Sequence, residues 1–245
     1  MGEKKKKEEW TKLVSKILIV SVCVLFVGLM ILSGMGTGWL TLFTSVKAGD
    51  TVVIDYTLFD ASGKPIVTTE KSTYDQAVAQ GSGVFGSKQI TITASQTMEK
   101  PIYSIPVYPS NGGKVQQLAL FSSEYDAVSS GIIGMKVNEQ KRIGISSNMP
   151  MTYDWSAERL ALNKINLSDI NVGDSFFMGV SDNPEDAANN TSANTFLRVG
   201  EVANKSPEGV VVDFSYPVID VRVVSLNNRK KPYKLFFIIA VNSCL

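Results

Sequence analysis

The apolar and polar positions along this chain change period near residue 47. Before it lies an unbroken apolar run, Ile17-Leu-Ile-Val-Ser-Val-Cys-Val-Leu-Phe-Val-Gly-Leu-Met-Ile-Leu32, and no charged residue appears from Ile17 until Lys47. A helix needs about 20 residues to cross the roughly 30 Å hydrocarbon core of a bilayer, so residues 17–38 predict a transmembrane anchor. The run is longer than the apolar core of a signal peptide and no Ala-x-Ala site follows it, which favours an anchor over a cleaved leader. A lysine-rich flank argues against a buried core helix.

Beyond residue 47 the period drops to two. Residues 47–59 alternate and are β-branched, and Asp60-Ala-Ser-Gly-Lys-Pro65 has turn chemistry, so a strand and a hairpin are predicted. Residues 66–117 show no helical period; they read as long loops with strands at 89–93 and 102–108. A short helix is predicted over 122–133, with Ser122 or Ser123 as N-cap and Gly131 as terminator. Gly134-Met-Lys-Val-Asn-Glu139 then forms a turn that enters an alternating strand ending at Ile145. Residues 156–162 read as one or two helical turns. Ile170-Asn-Val-Gly-Asp174 repeats the turn-into-strand pattern, residues 182–195 form an acidic, Asn-rich loop, and strands are predicted at 196–202, 209–214 and 218–226. The fold class read from this pattern is α+β, predominantly β, preceded by one membrane helix.

Charge refines the picture. Residues 1–16 carry six lysines and three glutamates, Arg229, Lys230, Lys231 and Lys234 stand together without an acid, and the overall charge of +1 therefore leaves −6 for residues 17–228. Such a body is a poor nucleic-acid partner. The N-terminal lysines orient the anchor with that end cytoplasmic, at the cell membrane, and the domain extracytoplasmic; Trp10 and Trp39 bracket the span. The tail, Lys234 to Leu245, is apolar but too short to span a membrane; it reads as an edge strand, a packed segment or a bilayer contact. The absence of histidine removes Ser-His-Asp and Cys-His catalysis and every histidine metal site. Cys23 and Cys244 lie in unlike settings and predict no disulfide. Neither a metal nor a cofactor is expected.

Three blocks together resemble the FK506-binding-protein class of peptidyl-prolyl isomerases. The first is Gly49-Asp-Thr-Val-Val-Ile-Asp-Tyr-Thr57 with its Gly63 hairpin, and the second is Gly134-Met-Lys-Val-Asn-Glu-Gln-Lys-Arg142, similar to the family's Gly-Met-x-x-Gly-Glu-Lys turn. The third, residues 196–202 followed by Gly209-Val-Val-Val-Asp-Phe-Ser-Tyr-Pro217, resembles the ending of the insert-in-flap domain in the SlyD-like branch. The resemblance covers residues 46–226, with 66–122 matched poorly. It implies a curved antiparallel sheet around a short helix, made of residues 47–150 and 213–227, with a small inserted β-domain at 153–212.

The activity it implies is prolyl cis–trans isomerisation and chaperoning of exported proteins, with unfolded or proline-containing polypeptides as partners. Isomerisation needs no acid, base or metal: the barrier of about 18–20 kcal/mol reflects amide resonance, and a dry apolar cradle that favours the twisted amide lowers it. By the resemblance, Tyr56, Tyr153 and Ile132 are catalytic, while Ile66, Val67, Tyr125, Val128 and Ile133 contact substrate. The sequence departs from the family at Ile66-Val67, where a Phe-Asp pair is usual, and at Val128, where the family has tryptophan. The alternative expectation is therefore a non-catalytic binding module on the same scaffold. In the insert, Met149, Met151 and Phe177 are expected on a chaperone surface, while Phe176 and Met178 read as small-domain core.

Overall fold

The structure, a computed structural model, describes residues 2–34, 44–146, 151–183 and 194–227. The chain divides into two compact units, residues 1–44 and 45–245. In the first, α1 (Gly2–Gly34) is a single helix of 33 residues. Its segment Val14–Ile31 is long and apolar enough to cross a membrane. Leu18, Val24, Phe26 and Met30 are all more than half exposed; a helix that is apolar all round finds its complement in lipid or in another protein. The predicted anchor residues 35–38 and Trp39 lie outside the described residues.

The second unit is mixed α/β and mostly strands, built on a curled half-barrel sheet. Its axis is β1 (Thr51–Phe59), which pairs along its length with β12 (Val218–Asn227). On its other edge it pairs first with β4 (Ile90–Thr93) and then with β2 (Pro65–Thr68). Val52, Ile54, Tyr56 and Leu58 point one way into the core, as alternation requires. Asp55 and Thr57 on the other face are buried as well: Arg222 donates to Asp55, and Thr57 and Thr68 share a hydrogen bond. β7 (Gln140–Gly144) lies on the far side of β12, antiparallel to it.

From β2 the sheet continues through β3 (Phe85–Ser87), β5 (Ile102–Pro109) and β6 (Gln116–Phe121). The β2–β3 junction is parallel, as is a single contact between β6 and β10 (Thr195–Ser206), so the sheet is not wholly antiparallel. The expected absence of helix in 66–117 is corrected by α2 (Lys71–Ala79). Only Ala77 of that helix is buried, so it has no apolar stripe for a periodicity argument to detect.

α3 (Ser122–Gly131) packs Tyr125 and Val128 into the main core, which also holds Ile132 just beyond its end. Its N-cap is Phe121 rather than a serine, and the orphan Phe121 N–H donates to Glu124 Oε2 at 2.8 Å. Gly131 closes the helix as expected, and a Cβ there would lie 2.6 Å from Ile143 Cδ1 on β7. The turn after this helix is one of three of the same kind. In Lys47–Asp50, Lys136–Glu139 and Asn171–Asp174 the first residue's N–H donates to the last residue's carboxylate. The third position is left-handed each time: Gly49 at φ +85°, Asn138 at +68°, Gly173 at +90°. Glycine and asparagine adopt that region at least cost.

β10, β11 (Gly209–Asp213), β8 (Thr152–Ser156) and β9 (Ser175–Ser181) form an antiparallel group in the order β9-β10-β11-β8. With α4 (Ala157–Leu162) it encloses a second cluster: Trp155, Leu160, Ile170, Phe176, Val202, Val210, Val212 and Phe214. Met178 packs at its margin, in line with its reading as core.

Candidate functional site

A concavity of about 710 Å³ opens where α3, β5 and β10 meet. Its apolar lining is Met98, Ile102, Tyr103, Tyr125 and Phe196, with Glu99, Lys100 and Asp182 at the rim. Tyr103 of β5 and Tyr125 of α3 face each other with ring centroids 5.1 Å apart. Along β5, Tyr103 shares a face with Ile105 and Val107; those two are fully buried, whereas Tyr103 is half-buried at the margin of the main core, where it lines the groove.

One wall is strapped to the helix. Asp126 accepts the Met98 N–H at 2.9 Å, and one turn later Ser129 Oγ donates to Gln96 O at 2.8 Å while Ser129 O accepts the Ser95 N–H. Positions 126 and 129 share a helix face, so residues 95–98 are held at two points. The other wall is set by Arg198, two residues after Phe196 on the same face of β10. Its side chain is fully buried, and all five guanidinium N–H groups are used: two on Glu124, two on Phe214 O and one on Ala119 O. Tyr216 and Phe121 cover its faces at 3.7 and 4.7 Å. Glu124 neighbours Tyr125 and Arg198 nearly neighbours Phe196, so this pair fixes helix and strand on either side of the groove.

The aromatic rings share the groove with polar residues, Gln96, Thr97, Ser104 and Asn194, and with the charged Glu99, Lys100 and Asp182. Burial, reinforced by Tyr125, pushes the Tyr103 hydroxyl above its ordinary pKa, so it remains a neutral donor and acceptor at physiological pH. Its aromatic rings accept apolar or aromatic side chains, and the polar groups around them can hydrogen-bond the backbone that carries those side chains. Among the described residues no group of three acidic or cysteine side chains could hold a metal.

No family model matches the chain. No curated protein matches its sequence either.

The residues that sequence pattern and resemblance single out are gathered in part. Tyr56, Ile66, Val67, Tyr125, Val128 and Ile132 all belong to the main core cluster. Within it Tyr56, Val67, Val128 and Ile132 are at most 1% exposed, covered by their neighbours. Tyr56 donates to Ser87 Oγ at 2.8 Å, and burial raises its pKa far above the ordinary tyrosine value. Tyr125 alone of the set reaches the aromatic groove, and Ile66 lines a separate polar cleft of about 200 Å³ with Asp60 and Lys64. Ile133 is 43% exposed. Tyr153 stands apart, edge-on to Phe214 beside the second cluster. Of the expected chaperone surface, Phe177 is 55% exposed, Met151 is buried, and Met149 lies outside the described residues.

Sequence reasoning missed Met98, Tyr103 and Phe196, because the groove is assembled from distant segments. Arg198 did carry a signal: an arginine inside the largely apolar strand Phe196-Leu-Arg-Val-Gly-Glu-Val is buried only if it is paired.

Proposed function

We propose that this protein is a membrane-anchored, extracytoplasmic module that binds extended, apolar-rich polypeptide segments on an FKBP-like scaffold, without catalysing prolyl isomerisation. The aromatic groove of Tyr103, Tyr125 and Phe196 carries the reading: it is open and large enough for one or two bulky side chains, with polar groups beside the rings to hydrogen-bond a polypeptide backbone. Of the prolyl-site equivalents, Tyr56, Val67, Val128 and Ile132 are fully buried in the main core and Tyr153 stands apart from them, and a cradle lowers the isomerisation barrier only for an amide that can reach it.

Several features support the scaffold. The strands of the first two resembling blocks, β1 and β7, flank the same partner, β12, and α3 packs on the sheet they form. The segment that falls between β7 and β12 contributes every residue of the second cluster, as an insert would. The apolar helix with lysines before it supports anchoring with the body outside the cytoplasm.

A second reading, an active isomerase, is favoured by the convergence of Tyr56, Ile66, Val67, Tyr125, Val128 and Ile132 in one cluster. One set of measurements on the full chain in nanodiscs separates the two. Suppression of aggregation of a reduced, alkylated polypeptide, with no acceleration of proline isomerisation in a short peptide, is the expected result. Acceleration that Tyr56→Ala abolishes would establish the enzyme instead. Neither activity would sink both.

A further inference from the structure

The groove of Tyr103, Tyr125 and Phe196 has charge as well as rings. Glu99, Lys100 and Asp182 line it and are exposed, and none of the three forms an ion pair or a side-chain hydrogen bond with any described residue. Glu99 and Lys100 come from the loop before β5, and Asp182 directly follows β9, so the two carboxylates are brought to one opening from separate parts of the chain. The other charged groups close by are engaged within the fold. Asp126 accepts the Met98 N–H, and Glu124 and Arg198 neutralise each other in the core.

Rings and carboxylates favour the same feature in a ligand. An aromatic ring presents a negative face to a cation, and Tyr103 and Phe196 are half-buried, so part of each ring stays open to the groove. The side chains of arginine and lysine combine an apolar stem with a cationic head, which suits rings rimmed by acids. Lys100 works against this, but as one charge against two, and its long stem lets the ammonium withdraw into water. At longer range the net charge of −6 over residues 17–228 draws in basic chains and repels acidic ones, a second copy of this body included.

We infer that the groove selects basic, apolar-rich polypeptide segments: an arginine or lysine pairs with Glu99 and Asp182 while a neighbouring apolar side chain packs on Tyr103, Tyr125 and Phe196. The inference rests on the reading of the groove as a polypeptide site and assigns that site its class of client.

The test uses the full chain in nanodiscs of phosphatidylcholine, with empty nanodiscs as the blank. Three fluorescently labelled peptides share one leucine-phenylalanine core and are flanked by arginines, by glutamines or by glutamates; anisotropy titrations give their affinities. The arginine peptide is expected to bind roughly tenfold tighter than the glutamine peptide, the size of effect that two exposed ion pairs supply, and the glutamate peptide weakest of all. The double change Glu99→Gln, Asp182→Asn, at exposed side chains without partners in the fold, should bring the arginine peptide down to the level of the glutamine peptide. Lys100→Gln should tighten the arginine peptide by roughly threefold. Equal affinity for the arginine and glutamine peptides, with both weakened by Tyr103→Ala, overturns this inference and leaves the groove a polypeptide site. An arginine preference that survives Glu99→Gln, Asp182→Asn overturns it too, since the preference then arises elsewhere on the acidic body. Binding of none of the peptides, or binding indifferent to Tyr103→Ala, overturns the inference together with the polypeptide reading.

Discussion

Arg198 and Glu124 meet in a fully buried ion pair, with Nη1 of the arginine 2.9 Å from Oε2 of the glutamate. The pair joins β10 to α3 across the boundary of two apolar clusters: Val199, next to Arg198, belongs to the first, and Val202 to the second. Removing one partner leaves an uncompensated charge in the core, a loss of about 3–5 kcal/mol. Arg198→Met should therefore lower the urea midpoint sharply. The double change Arg198→Met, Glu124→Leu should recover part of the loss by removing the uncompensated charge, but not all of it, because Phe214 O, Ala119 O and the Phe121 N–H lose their side-chain partners. Additive losses in the double variant would contradict this account.

Gly131 is required by contact rather than by backbone angle. The Cβ of an alanine there would meet Ile143 Cδ1 at 2.6 Å and Cγ2 at 2.9 Å, and Ile143, on β7, is buried in the main core. Gly131→Ala is expected to cost about 1–3 kcal/mol by overpacking. In an Ile143→Ala background the same change should cost little, since all the crowding atoms are gone. Chemical denaturation of the four-member cycle measures the coupling: the double variant should lose less stability than the sum of the two single losses, by at least about 0.5 kcal/mol.

What could be read in the sequence was what local pattern encodes. The turns at Asn138 and Gly173, the alternation of β1 and the closure of α3 at Gly131 all arise from residues adjacent in the chain, whereas residues 47–50, expected to begin the first strand, form a turn and β1 starts at Thr51. α2 escapes such a reading because its single buried residue, Ala77, gives no stripe. The N-cap of α3 falls one residue before the serines because their propensity at 122 and 123 is outweighed by Glu124 reaching back to the Phe121 N–H. The groove is illegible for another reason: Met98, Tyr103, Tyr125 and Phe196 come from separate stretches, and only the fold makes them neighbours. Family resemblance points to Tyr56 and Tyr153 as one site, yet Tyr56 lies in the first cluster while Tyr153 packs on Phe214 of the second.

Stability should fall in strong alkali through Tyr56. Burial raises its pKa in the folded chain above the unfolded value of 10.0, with the Ser87 hydrogen bond opposing. Below the unfolded value both states hold the proton, so stability there is unaffected by pH through this group. Above it the unfolded chain ionises first, and stability falls by up to about 1.4 kcal/mol per pH unit until the folded chain also ionises. Tyr56→Phe should cost about 1 kcal/mol at pH 8, from the lost hydrogen bond, yet show a shallower decline between about pH 10 and 12. Urea midpoints of the two proteins at several pH values give the comparison; parallel curves would remove Tyr56 as the titrating group.

Affinity for unfolded polypeptide should depend on the ring of Tyr103 far more than on its hydroxyl. The ring is half-buried against Tyr125 at 5.1 Å and forms one side of the opening, and aromatic anchors in such settings typically account for about 2 kcal/mol of binding. Tyr103→Ala should weaken binding of a fluorescently labelled, reduced and alkylated polypeptide by roughly thirtyfold. Tyr103→Phe should stay within about threefold, since the hydroxyl remains protonated and adds at most one neutral hydrogen bond. Tyr108 lies on the same strand, 37% exposed and away from the groove, so Tyr108→Ala should bind like the unaltered chain. Because burial raises rather than lowers the Tyr103 pKa, affinity should also be flat between about pH 6 and 9. Anisotropy titrations of the three variants decide it: equal weakening by Tyr103→Ala and Tyr108→Ala would mean that polypeptide binds elsewhere on the body.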